Sequence, residues 1–218
     1  MERSFGAFSY RQAVRAVFAR WLGHDPRFGL MKDRSFNAYM AASLKGVRFE
    51  DLKIPLHCVA ADLHLGEQVV LSRGPVLDAM RASMAIPLLL PPWEVEGRLL
   101  VDGGICNPLP VDVAMREGAD IILAMGFEDP LQPAIDSGVA LVRQVLAVSA
   151  NHLMRAQFAF HSMAHHAEVI AVIPDFGQQV GLRDLHLIPH LVRQGELATE
   201  REMPYLRKLL AAPAQALT

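Results

Sequence analysis

The chain is poor in cysteine, balanced in charge, and holds no serine in a G-x-S-x-G frame. Each absence excludes something. Only Cys58 and Cys106 are present in 218 residues, in separate segments, so neither a disulfide framework nor a cysteine zinc site is available. A reducing compartment is the expected setting. Lys plus Arg number 21 against 23 Asp plus Glu, for a formal net charge of −2. That balance makes no field for nucleic acid, and no basic patch with interleaved aromatics appears. The opening residues, MERSFGAFSYRQ, carry Glu2 and Arg3 and lack the apolar centre of a secretory signal. The longest apolar stretch, residues 137–160, is interrupted by Arg143, His152 and Arg155. It reads as a buried helix rather than a membrane span. The expected location is therefore the cytoplasm or the periphery of a membrane surface.

Apolar side chains are plentiful. They make up 52% of the chain, and mean hydropathy is +0.22. Such a chain either buries most of itself or leaves apolar surface for a partner or lipid. Helical spacing predicts helices over 10–22, ended by Gly23 to Asp25 with Pro26 beyond, and over about Phe36 to Ser43. Residues 54–63 and 68–72 read as two strands of a hairpin. The segment GPVLDAMRAS reads as a helix with Pro75 in its first turn. Residues 84–97 are too proline-rich for one element and form an apolar loop or short edge. A strand over 98–101, a helix capped by Gly118 and a strand over 120–126 suggest a βαβ unit with the two strands parallel. One long helix or two, a strand over 168–175 and a helical tail with a break near Gly195 and Pro204 complete the chain. The expected organisation is a single α/β domain over 1–218.

The stretch RLLVDGGICNPLP carries the main chemical candidate. Asp102 closes an apolar strand and is followed by Gly103 and Gly104. Ligands of parallel α/β sheets gather beyond the carboxyl ends of strands. A carboxylate there can take the proton of a hydroxyl nucleophile, and the glycines let a substrate or backbone approach closely. An ordinary Asp-Gly turn accounts for the same residues. Asp62, before a turn ending at Gly66, reads as a turn former, and Ser83 as a helix-end hydroxyl. His161 and His165 share a helix face, with His166 beside them and His152 upstream. No Asp, Glu or Cys joins them, so no metal or other cofactor is expected. The nine serines give no nucleophile elbow: GAFSY and DSGVA come nearest, and neither fits G-x-S-x-G.

Three segments in order are more specific than any one. FEDLKIPLHCVAADLHLGEQVVLSRG contains A-x-D-x-x-x-G-E, AMRASMAIP reads A-x-x-A-S-x-x-x-P, and GRLLVDGGICNPLPVDVAMREGAD joins D-G-G to a helix ending in G-A-D. Together they resemble the bacterial patatin-like phospholipases, from about Phe49 to Met125, through LHLIPHLVRQGELATEREMPYLRKLL in the tail, and into the helix before Phe49. The resemblance implies a three-layer α/β/α fold and a serine acyl hydrolase acting on lipid esters through a Ser–Asp dyad without histidine. It maps the catalytic base onto Asp102, with Gly103 and Gly104 as motif partners. It also implies that the oxyanion loop, the nucleophile elbow and their strands lie upstream of the part represented here. The expected domain is then an incomplete one with only the aspartate half of its dyad.

Three readings follow. The first is a lipid acyl hydrolase completed by an N-terminal companion segment, with a lipid or ester substrate and contact with a membrane surface. The second is a non-catalytic patatin-like module that binds lipid or a protein partner through exposed apolar surface. The third recruits another serine, such as Ser83, to Asp102. Loss of central parallel strands would leave unpaired edges and uncovered apolar faces, so the isolated chain is expected to be marginal, oligomeric or dependent on that companion.

Overall fold

A computed structural model of the chain describes Gly29 and residues 34–163, 167–177, 180 and 184–211. The helix expected over 10–22 lies outside the described residues. The chain is mixed α/β and divides into two compact units, Met1–Cys106 and Asn107–Thr218.

The first unit holds helix α1 (Arg34–Ser43), strands β1 (Cys58–Asp62) and β2 (Gln68–Leu71), helix α2 (Val76–Ser83), and strands β3 (Trp93–Val95) and β4 (Arg98–Asp102). The strands form one antiparallel sheet in the order β2-β1-β4-β3. The two central strands are buried on both faces: Ala60 and Ala61 on β1 and Leu100 and Val101 on β4 are all nearly inaccessible. Neighbouring strand residues point to opposite faces, so both faces of the sheet centre are covered. On one side Ala60, Val69, Ala82 and Leu100 pack together with Trp93. The β3–β4 connection is a two-residue turn, Glu96-Gly97, with positive φ at both positions (51° and 77°). That is the turn whose twist matches a hairpin. The expected β1 strand starts four residues later than 54, because the segment before Cys58 pairs with no strand. Pro75 precedes the first turn of α2 as its N-cap.

The second unit holds helix α3 (Val111–Arg116), strand β5 (Ile121–Met125), helix α4 (Gly138–Met163), strand β6 (Glu168–Val172) and helix α5 (Ile188–Ala211). Gly118 ends α3 at φ +85°. Its N–H bonds the Met115 carbonyl, and the Ala119 N–H reaches the Ala114 carbonyl, which is the paired bonding of a Schellman cap. β5 and β6 are parallel in register, and α4 is their crossover, so the chain does contain a βαβ unit. It is not the one expected. The strand before α3 is β4, and its partners β1 and β3 are both antiparallel; β5 pairs instead with β6. The expected break in the tail is also absent, since α5 runs through Gly195 and Pro204. Residues 138–163 form one helix rather than two.

Candidate active site

The site is built at the end of β4. Leu100 and Val101 anchor the strand in the core, and the chain leaves it at Asp102, which is half-buried. The Asp102 N–H donates to the Ala85 carbonyl at 3.1 Å, tying the strand end to the segment that follows α2. The Gly104 N–H donates to Asp102 Oδ1 at 2.7 Å, which fixes the carboxylate within its own turn. Gly103 is buried against β1. A Cβ there would stand 2.4 Å from the Val59 carbonyl oxygen, so no side chain fits. A Cβ on Gly104 would meet Asp102 Oδ1 at 3.1 Å. The D-G-G motif therefore has a firm steric reason at its first glycine and a milder one at its second, where an added carbon would crowd the carboxylate that the backbone N–H holds.

Accessible apolar side chains lie on the two segments that the bond from Asp102 to Ala85 joins: Met84 and Ile86 on either side of Ala85, and Ile105 after Gly104. Ser83, the last residue of α2, is half-buried and stands two residues before Ala85. Of the run MAIPLLLPPW, Leu90 is buried and the Pro91 carbonyl accepts from Arg81. Ala85 and Leu90 are thus the buried residues of that run and the others are half-buried or exposed, with Leu88 held at φ +68°.

Asp62 behaves as a turn former. Its carboxylate Oδ1 accepts from the His64 and Leu65 N–H groups at 2.9 and 3.1 Å, and Oδ2 pairs with Arg98 Nε at 3.2 Å. The His64 amide, helped by that of Leu65 and by the Arg98 cation, holds its pKa below the usual carboxylate value against the opposing effect of burial. Burial pushes the Cys58 thiol up, which disfavours a reactive thiolate. His161 is buried on α4 with Nδ1 unpartnered, and His152 is exposed; His165 and His166 lie outside the described residues. Among the described residues no group of three or more His, Cys, Asp or Glu could hold a metal ion.

Two features escaped sequence reasoning. Arg81, within the A-x-x-A-S segment, is almost wholly buried. It donates from Nε to Asn37 Oδ1 at 2.7 Å and lies over the Trp93 ring at 5.0 Å. Trp93 Nε1 in turn donates to Asp78 at 3.1 Å. In the second unit, Asn107 is buried; it donates to Asp112 at 2.6 Å and accepts from Gln157 Nε2 at 3.0 Å, linking the start of α3 to α4. The same unit has an apolar cavity of about 100 Å³ lined by Leu109, Ala124, Gly126, Met154 and Phe158. At its edge Arg155 is ion-paired with Glu128 at 2.7 Å. No helix among the described residues is long and apolar enough to cross a membrane.

Comparison with known proteins bears out the resemblance to the family, with a family-model match that stops short of Gly118-Ala119-Asp120 and the tail. The patatin-like phospholipase family model matches residues 2–115, beginning well before Phe49. An NTE family protein of Mycobacterium tuberculosis is 48% identical over 81 residues, covering 37% of this chain and 22% of that protein. A second from the same organism is 29% identical over 158 residues, covering 64% and 27%. The rat patatin-like phospholipase domain-containing protein 7 is 31% identical over 102 residues, covering 46% and 8%. The chain thus spans about a quarter or less of the length of these relatives. With more than half of its residues matched by the family model, the chain belongs to the patatin-like phospholipase family.

Proposed function

We propose that this chain is the aspartate-bearing part of a lipid acyl hydrolase. Asp102 is the general base of a Ser–Asp dyad, and the serine belongs to a G-x-S-x-G elbow that is not among these 218 residues. One observation carries the reading. A half-buried carboxylate ends a core strand, with one oxygen held by the Gly104 N–H and accessible apolar side chains on both flanking segments. In the proposed step the seryl oxygen attacks the ester carbonyl carbon while its proton passes to the Asp102 carboxylate. That proton then goes to the departing alcohol, and water, deprotonated by the same carboxylate, hydrolyses the acyl-enzyme. A lipid ester is the substrate class, and Met84, Ile86 and Ile105 would meet its acyl chain or a membrane surface.

A second reading is a non-catalytic patatin-like module. It is favoured by the 2.7 Å bond from Gly104 to Asp102, which an ordinary Asx turn makes without any catalytic role. A serine-reactive phosphonate probe separates the two. The chain alone should not label. Co-expressed with the nucleophile-bearing segment of a patatin-like relative, the complex should label on that segment's serine and lose labelling with Asp102→Asn. A folded complex that stays unlabelled supports the non-catalytic module. Labelling of the chain alone that Asp102→Asn abolishes overturns both readings and places the nucleophile inside it, with Ser83 the first residue to map.

A further inference from the structure

We propose that the outward face of α4 is a dimerisation seam that takes a second copy of this chain, antiparallel and centred on His152. The inward face carries Ala147, Asn151, Met154 and His161, all buried. The outward face carries Leu141, Val145, Val148, His152, Ala156, Ala159 and Met163, all exposed. Leu141 keeps 50%, Val145 55% and Met163 74% of its accessible surface. A helix apolar on both faces belongs in an interior, and here only one face has found one.

The spacing identifies the occupant. Successive seam residues are four, three, four, four, three and four apart, the alternation by which one helix seats its side chains between those of another. The series reads the same from either end about His152. Antiparallel pairing there sets Val145 against Ala159 of the second copy, Val148 against Ala156, and Leu141 against Met163. Larger side chains lie on the N-terminal side of His152 and two alanines on the other, so large meets small along most of the seam. Parallel pairing would set alanine against alanine and leave a void. No charged residue lies on the seam, so two copies meet without repulsion. A helix resting on lipid carries a row of basic residues beside its apolar face. Along all of α4 the only Lys or Arg residues are Arg143 and Arg155, and Arg155 is ion-paired with Glu128.

The size of the face sets the strength. A helix of 26 residues is about 39 Å long, and a strip about 10 Å wide gives on the order of 400 Å² per copy. That is roughly half of what a stable interface buries on each side. Association is therefore weak and depends on concentration.

Sedimentation of the full chain from about 5 to about 500 µM tests the proposal. The expected result is a shift from monomer to dimer across that range. Val145→Glu, with folding checked by circular dichroism, should remain monomeric. His152→Leu removes the one polar residue from the seam and should tighten the dimer by about tenfold or more. Independently, His152→Cys should form a 152–152 disulfide on oxidation, located by peptide mapping, and a mixture of Val145→Cys and Ala159→Cys chains should form a 145–159 bond. A monomer at the highest concentration in both the native chain and His152→Leu overturns the proposal. So does a dimer that Val145→Glu leaves intact, or cross-links in a different register. Binding to phosphatidylcholine vesicles that Val145→Glu abolishes, by a chain that stays monomeric in solution, would assign the face to lipid instead.

Discussion

The two units bury their apolar residues to different extents. In the first, β1 and β4 are covered on both faces, and the antiparallel sheet closes through short connections such as Glu96-Gly97. In the second, β5 pairs with β6 alone among the described residues. Its Ile122 and Ala124 are buried while Leu123 and Met125 stand about half exposed. Among the described residues, most of the large exposed apolar side chains fall in the second unit. Antiparallel strands can complete a core from local turns, whereas parallel strands need long crossovers and cover on both faces. A high apolar fraction in the sequence thus has two origins here: a finished core in one unit, and uncovered surface in the other.

The sharpest test of that contrast is a matched pair of truncations. Leu100→Ala removes a wholly buried side chain from the first unit and should cost about 4 kcal/mol. Leu123→Ala removes the same atoms from a strand face that is 52% exposed and should change stability by less than about 0.5 kcal/mol. Urea unfolding resolves the two. Trp93 lies in the first unit, so tryptophan fluorescence follows Leu100→Ala, and far-ultraviolet circular dichroism follows Leu123→Ala in the second. Equal losses would mean that the β5 face is covered in solution.

Gly103→Ala comes next. Its Cβ would meet backbone, the Val59 carbonyl, rather than a flexible side chain, so β1 and the turn after β4 must move apart. The expected loss is about 3 kcal/mol in the same fluorescence transition. Gly104→Ala, whose added carbon meets only the Asp102 carboxylate, should lose less than 1 kcal/mol or so.

Much of the first unit was legible because its signals are local. The strand ending at Asp102 and the hairpin of β1 and β2 announce themselves within a few residues, as does the Gly118 cap in the second unit. The partner of β4 was not legible. Strand, helix, strand looks the same in sequence whether or not its two strands pair, and the choice is made by non-local contacts such as Ala61 with Val101. Arg81 was missed for a related reason. A charged residue on a helix reads as solvent-facing, and its burial rests on partners outside the helix, among them Asn37, Pro91 and Trp93. The role of Asp102 was suggested by motif order across the family, not by its local pattern. Its hydrogen bond to Gly104 is compatible with a turn and with a base alike.

Acid should weaken the first unit through Asp62. Its pKa is lowered in the folded chain, chiefly by the His64 N–H, so the folded state binds that proton less readily than the unfolded one. Its contribution is fully present above the unfolded carboxylate value, near 3.9, and is lost as pH falls through the lowered folded value. Glu50, lowered chiefly by the Gly74 N–H, acts in the same direction. The native chain should therefore be more stable than Asp62→Asn at neutral pH, and the gap should close below about pH 4. A gap that stays constant down to pH 2 or so would remove Asp62 from the account.

The one expected gain belongs to the second unit. Pro204 lies inside α5, where it has no N–H to give the Glu200 carbonyl, and a proline in a helix interior costs about 3 kcal/mol relative to alanine. Part of that cost is returned because proline restricts the unfolded chain, by about 0.4–1 kcal/mol. Pro204→Ala should therefore stabilise α5 by about 2–2.6 kcal/mol, seen as a higher midpoint in far-ultraviolet circular dichroism. The helix survives its proline because it packs against β6, with Ala198 buried before the interruption and the Tyr205 hydroxyl donating to Glu168 on β6 after it. Absence of any gain would mean that α5 already bends at Pro204 enough to hydrate the Glu200 carbonyl, and the break expected from the sequence would then have a physical counterpart.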